Sequence, residues 1–184
     1  MTRVITAFAA FLIVTLVSNA QARQEDRRLD DLFDKLLATT ERDVAQTIEA
    51  SIWRIWIESG DEVLDKLMRR GVVAMQSGAF DVALTAFDAI IESDPDFAEG
   101  WNKRATLYYL MEEYDASVRD VERTLALEPR HFGALSGMGL IYTAIDEDKA
   151  ALEWFERALT VNPHLPFIRL RAEAIRKKLR GENI

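Results

Sequence analysis

Residues 95–128 read PDFAEGWNKRATLYYLMEEYDASVRDVERTLALE, and residues 129–162 read PRHFGALSGMGLIYTAIDEDKAALEWFERALTVN. Laid one over the other, the two segments keep a single step. Pro95, Pro129 and Pro163 stand 34 residues apart, each behind an acidic or amide residue (Asp94, Glu128, Asn162). Gly71, Ala105 and Gly139 share one register position, as do Ala83, Ser117 and Ala151. Phe87, Val121 and Phe155 share another, and Ile90, Thr124 and Ala158 a fourth. Size and polarity recurring at a fixed step mark stacked units, each burying its apolar face only against its neighbours.

Working upstream, residues 61–94 carry the same frame. Val63, Leu64, Leu67, Met68, Gly71, Val72 and Met75 fall at helical spacing, Ser77-Gly78 breaks the run, and a second helix is expected from about Asp81 with Val82, Ala83, Phe87, Ile90 and Ile91. Before it, residues 23–60 form a charged linker and a divergent leading pair. Leu29, Leu32, Phe33, Leu36 and Leu37 make one amphipathic helix. Thr40 is placed to cap a second, which runs through Ile48, Ile52, Trp53, Ile55 and Trp56 to Ser59-Gly60. Leu37 stands where Gly71 stands later, and Glu49 where Ala83 stands, so this pair is expected to cap the stack. Trp53 and Trp56 are expected to fill space against the next helix. Downstream, residues 164–184 supply a closing helix from about Phe167 to Arg180. Its expected inner face is Phe167, Leu170, Ala174, Ile175 and Leu179, and its outer face Arg169, Arg171, Arg176, Lys177, Lys178 and Arg180. A terminal unit needs one polar side, and cations suit a helix C-terminus.

These residues resemble the tetratricopeptide repeat. That family sets Trp or Leu, a small residue and Tyr along its first helix, then Ala, Phe and Ala along its second, with Pro after it. Trp101, Ala105 and Tyr108 match in the middle unit; Gly139, Tyr142, Ala151, Phe155, Ala158 and Pro163 match in the last; Gly71, Ala83, Phe87 and Pro95 match in the one before. Ala74, Val121 and Asp148 depart from it, in place of Tyr, Phe and the aromatic expected at the turn. The resemblance implies an all-α helix–turn–helix solenoid: three repeats (61–94, 95–128 and 129–162, within 61–163) and a C-terminal capping helix. With its leader, the chain also resembles small exported repeat proteins of alphaproteobacterial cell envelopes.

The leader is legible in residues 1–22. Arg3 gives a positive start, Val4 to Val17 an apolar core, and Ala20 and Ala22 the small residues of a cleavage site, with cleavage expected after Ala22. A periplasmic or secreted protein is expected, without a membrane span once the leader is removed; an uncleaved anchor is the rival reading, though the apolar run is short of the roughly 20 residues a span requires.

Composition narrows the chemistry. The net charge of −8 disfavours nucleic acid, which needs a basic face. The absence of Cys excludes disulfides, thiolate metal sites and thiol nucleophiles. His131 and His164 each follow a second helix, with no second His or carboxylate at ligand spacing, so no metal is expected. Ser117 and Ser136 have no nucleophile-elbow setting, and Ser136-Gly137-Met138-Gly139 lies inside a helix, so it is no phosphate or dinucleotide loop. No catalytic residue and no cofactor is expected.

What remains is a surface. By the family's geometry the first helices line a hollow face, and the inward positions are Met68, Val72 and Met75, then Glu99, Asn102, Thr106 and Tyr109, then Ser136, Leu140 and Thr143. Asn102 could hold a peptide backbone, and Tyr109 offers a ring with a hydroxyl. Ser136, Gly137 and Gly139 keep the last first-helix thin, leaving a partner room. Some family members grip a C-terminal carboxylate with inward Lys, Asn and Arg; Met68 and Val72 occupy two of those places here, so no such clamp is expected. The resemblance implies a non-enzymatic adaptor or scaffold of the periplasm or cell envelope, holding a peptide or helix of an unidentified partner protein. Self-association into a structural component is the alternative, and an accessory or metal-dependent enzyme subunit a third. The same ten residues would also suit packing against the next helix, or against the chain's own leading pair.

Overall fold

The computed structural model describes residues 26–181. The leader and its cleavage site lie outside the described residues. Nine α-helices and no strand occur among them: α1 (Arg28–Ala38), α2 (Arg42–Ile57), α3 (Glu62–Gln76), α4 (Phe80–Ser93), α5 (Ala98–Leu110), α6 (Tyr114–Leu127), α7 (Phe132–Ala144), α8 (Asp148–Val161) and α9 (Pro166–Leu179). The pairs α3–α4, α5–α6 and α7–α8 are antiparallel hairpins that stack in order, with α9 closing against α8.

Each hairpin closes on a small residue facing a larger one 16 positions on. A methyl group built on Gly71 would meet the Phe87 ring at 2.4 Å, and one on Gly139 would meet the Phe155 ring at 2.4 Å. Both rings are fully buried. In the middle hairpin the pair is Ala105 and Val121, both buried, and Ser117 Oγ donates to the Ala105 carbonyl at 2.7 Å. The departure of Val121 from the repeat pattern thus has a volume reason: where the first helix carries a Cβ, the second gives up a ring.

The turns repeat as faithfully. Gly78, Glu112 and Asp146, again 34 residues apart, hold φ of 77°, 61° and 60°. The amide of each following residue donates to the carbonyl five back: Ala79 to Ala74, Glu113 to Tyr108 and Glu147 to Tyr142, all at 2.9 Å. This left-handed C-terminal stop satisfies carbonyls that the helix leaves open. Between hairpins, the residue before each Pro reaches over it to the second amide on: Asp94 to Asp96, Glu128 to Arg130 and Asn162 to His164. The acid or amide before Pro is therefore a turn acceptor that replaces the bond Pro cannot make.

Two expectations fail. The leading pair does not continue the solenoid. Its core, Leu29, Phe33, Leu36, Ala45, Ile48, Ile52, Ile55 and Trp56, is completed by Phe132, Val161 and Leu165, and by no residue of α3 or α4. The places of the later small residues are used differently here: Leu37 is exposed, and Glu49 accepts a bond from Asn162. In α9 the buried face is Ile168, Ala172 and Ile175, while Phe167, Leu170 and Leu179 are exposed. Ile168, Ala172 and Ile175 pack into the α7–α8 core, and Arg176 and Lys178 pair with Glu156 and Asp148 of α8 at its edge. The Arg171 guanidinium lies over the Phe167 ring at 4.7 Å.

Val121→Phe alone should overfill the middle hairpin and cost about 1–3 kcal/mol in urea unfolding. Adding Ala105→Gly should recover part of that loss, giving a favourable coupling between the two positions; additive effects would separate the pair.

Candidate functional site: a half-covered groove

The first helices α3, α5 and α7 lie side by side and line one face of the stack. The α1–α2 hairpin crosses one end of that face. Trp53 rests on Gly133, where a methyl group would meet its ring at 2.7 Å. Trp56 stacks on His131 with centroids 4.2 Å apart and an interplanar angle of 11°. Phe132 receives Trp53 edge-on at 5.4 Å and Phe33 at 6.5 Å. Pairs of this kind contribute about 0.5–1.5 kcal/mol each beyond the area they bury. Polar ties flank them: Arg130 with Asp30 at 2.8 Å, Asn162 Nδ2 donating to Glu49 at 2.8 Å, and His164 Nε2 with the Leu36 carbonyl at 3.1 Å.

Beneath the hairpin lies a polar floor. Glu99 is 1 % exposed and His131 fully buried. His131 caps α7, its Nδ1 accepting the Ala134 amide at 3.1 Å, so Nε2 carries the hydrogen and donates to Glu99 Oε2 at 3.0 Å. Asn102 Nδ2 donates to the same oxygen at 2.9 Å, and Lys103 Nζ lies 2.8 Å from Oε1 as an ion pair, without the alignment of a hydrogen bond. Lys103 also stands over the Trp53 ring at 5.4 Å. Burial works to push the Glu99 carboxyl up; the Lys103 charge and the His131 hydrogen bond outweigh it and hold the group at about 2. The Trp56 indole N–H is buried with no acceptor.

The other end of the face is open. Between α5, α6 and α7 is a pocket of about 160 Å³, with Tyr109, Val121, Ser136, Gly137 and Leu140 among its lining. Val121 stands on its wall where the neighbouring hairpins carry Phe, and Gly137 adds no side chain to it. A methyl group there would meet nothing within 4 Å. The hydroxyls of Thr106, Ser136 and Thr143 each donate back to a carbonyl of their own helix, at 2.9, 2.7 and 2.8 Å. With those groups satisfied, the pocket offers a visitor mainly apolar surface.

The ten groove residues expected from the sequence therefore divide. Thr106, Tyr109, Ser136 and Leu140 line the pocket. Thr143 lies one turn beyond Leu140 on α7 and is partly exposed. Val72 and Met75 are partly buried against the α3–α4 core, and Met68 is inside it at 3 % exposure. Glu99 and Asn102 are under the hairpin, so Asn102 is engaged within the chain. Gly139 is thin for the Phe155 ring, not for a partner. Sequence reasoning missed the Glu99–His131 bond, which joins side chains 32 residues apart, and the seat at Gly133. A glycine at the start of a helix and two tryptophans on one face were the only signals. Among the described residues no group of three His, Cys, Asp or Glu could hold a metal, and no helix is long and apolar enough to cross a membrane.

Comparison with known proteins agrees with this architecture. A family model described as tetratricopeptide repeat matches residues 68–111 and 102–166. A TPR repeat-containing protein of Rhizobium etli is 39% identical over 137 residues, 74% of this chain and 67% of its own length. The small glutamine-rich tetratricopeptide repeat-containing protein 2 of Saccharomyces cerevisiae is 25% identical over 67% of this chain, which spans 35% of that protein. Among solved structures, the first TPR domain of Spaghetti bound to an HSP90 peptide superposes with a TM-score of 0.60 at 20% identity, covering 64% of this chain and 93% of that one. MamA superposes at 0.58 and 19% identity, covering 82% of this chain and 80% of that one.

A carboxyl held below its ordinary 4.5 contributes stability above that pH and loses it as pH falls towards 2. Urea midpoints of the wild type should therefore drop between pH 4.5 and pH 2, and those of Glu99→Gln should drop less. At pH 7 the substitution should cost about 3 kcal/mol. Parallel curves for the two chains would show that Glu99 carries no acid dependence.

Proposed function

The chain belongs to the tetratricopeptide repeat family, and from that premise we propose that it is a non-enzymatic protein-binding module of the periplasm or cell envelope. It takes a segment of a partner protein in the open half of its groove. The observation that carries this reading is the pocket bordered by Tyr109, Val121, Gly137 and Leu140, which no part of the described chain fills. Its size suits one apolar side chain as an anchor, with Tyr109 and Leu140 as walls. The hydroxyls of Thr106, Ser136 and Thr143 are satisfied at home, so register would come from shape more than from hydrogen bonds to the visitor. The peptide held by the Spaghetti domain supports the use of such a stack for binding segments of other proteins. Export rests on the leader in residues 1–22, and the mature chain should then begin at Arg23.

Gly137→Gln tests the pocket without disturbing the fold. The position has open space around it, and replacing a helical glycine should raise stability by roughly 0.5–1 kcal/mol. Immobilised wild-type chain should capture envelope proteins that the variant loses, while circular dichroism stays the same. Capture of the same proteins by both would remove the pocket from the binding surface.

A further inference from the structure

The groove already has an occupant, and the manner of its seating carries a second step, which rests on the protein-binding reading above. Within and between the later hairpins, apolar side chains face small residues, with Ser117, Thr124 and the Arg104–Asp120 pair as the polar exceptions. The seam under α1–α2 is different. It covers four polar side chains, Glu99, Asn102, Lys103 and His131, gathered about one carboxylate. It also leaves the Trp56 indole N–H without an acceptor. The hairpin shares its core with no residue of α3 or α4 and joins α3 through Glu58 to Asp61. Gly60, in that link, has φ +73° and open space around its Cβ position. Ser59 and Asp61 bond to each other, and the Ser59 amide donates to Asp65 of α3 at 3.0 Å. A rotation at Gly60 that releases these bonds would carry the pair off the groove as one body.

We infer that α1–α2 is an intramolecular ligand, standing where an amphipathic helix of a partner protein docks. The hairpin itself states what that helix must present: two large aromatic side chains three residues apart, one for the glycine seat at Gly133 and one to stack on His131. A helix laid into a groove is read through i, i+3 anchors of this kind. The polar floor then has a purpose. Once the hairpin leaves, Glu99 Oε1, which in the closed form has only its ion pair with Lys103, can accept a bond from the incoming segment. A ligand that must displace the hairpin binds with an affinity reduced by the fraction of chains that are open.

The test uses the full chain and a labelled peptide of α2, residues 42–57. Trp53→Ala with Trp56→Ala removes the anchors, and the peptide should bind this chain about tenfold or more tightly than the wild type. Adding Gly133→Leu, which walls off the Trp53 seat, should abolish that binding, as should a peptide lacking both tryptophans. Equal affinity for wild type and double variant, or binding indifferent to Gly133→Leu, overturns the inference. A dimer of the wild-type chain in light scattering that disappears with the tryptophans would assign the seat to a second copy and overturn the partner helix. Hydrogen exchange on the wild type guards against a variant that fails to fold. The amides of α2, of 98–103 and of 132–134 should exchange together through an opening cheaper than that of α6 and α8; exchange only with global unfolding makes the hairpin a permanent part of the fold. Gly137→Gln should leave every one of these results unchanged, so failure here is distinct from failure of the pocket.

Discussion

The structure depends on how closely two helices of one hairpin can approach. Gly71 against Phe87 and Gly139 against Phe155 bring backbone to ring at a distance that even a methyl group would violate. Because the contact recurs at each step, every hairpin presents the same geometry to the next, and a stack follows without any long-range instruction. The middle hairpin solves the same volume problem with Ala105 and Val121. It loses a ring in doing so, and Val121, Ser117 and the thin Gly137 of the next helix border the open pocket.

Electrostatics is arranged around the same frame. On the side away from the groove, Arg104 pairs with Asp120 through two nitrogens and with Asp88 through a third, while lying over the Trp101 ring at 5.0 Å. The hydrogen bonds that Arg104 donates to Asp120 raise the guanidinium further above its ordinary range. On the groove side Glu99 gathers Lys103, His131 and Asn102. One carboxylate takes two hydrogen bonds and an ion pair from two adjacent repeats, and its charge is compensated within the site. Such a cluster tolerates burial only while every partner is in place, and those partners all lie in α5 and at the cap of α7.

The sequence revealed the stack because its determinants lie within one repeat and occur three times. The step of Pro95, Pro129 and Pro163, the turn acceptors before them and the small–large pairs are all local. Glu112 and Asp146 were not readable as left-handed residues by type, since only Gly78 among the three is a glycine, yet their spacing places them. The position of the leading pair was not readable. Its contacts, Trp53 to Gly133 or His164 to Leu36, join residues far apart in the chain and occur once, so no periodicity reports them. The phase of α9 failed for another reason. Phe167, Leu170 and Ala174 also form an apolar stripe, and the fit of Ile168, Ala172 and Ile175 against Leu135, Phe155 and Ala158 chooses between them. Of the groove, the pocket walls Tyr109, Ser136 and Leu140 were legible from register, while the burial of Glu99 and Asn102 was set by the hairpin that covers them.

The two halves of the groove meet at shared residues. Asn102 and Gly133 line the open pocket, and both also belong to the covered half, one bonded to Glu99 and the other under Trp53. A segment entering the pocket therefore touches the first turn of α7, the turn that His131 caps and on which Trp53 rests. Any ligand whose fit there differs between the covered and uncovered forms must shift the balance between them, and the hairpin must alter that ligand's affinity by the same factor. Contiguity alone gives the pocket a route to the hairpin: it needs no signal carried through the core, only a preference for one position of a helix turn that both sites already share.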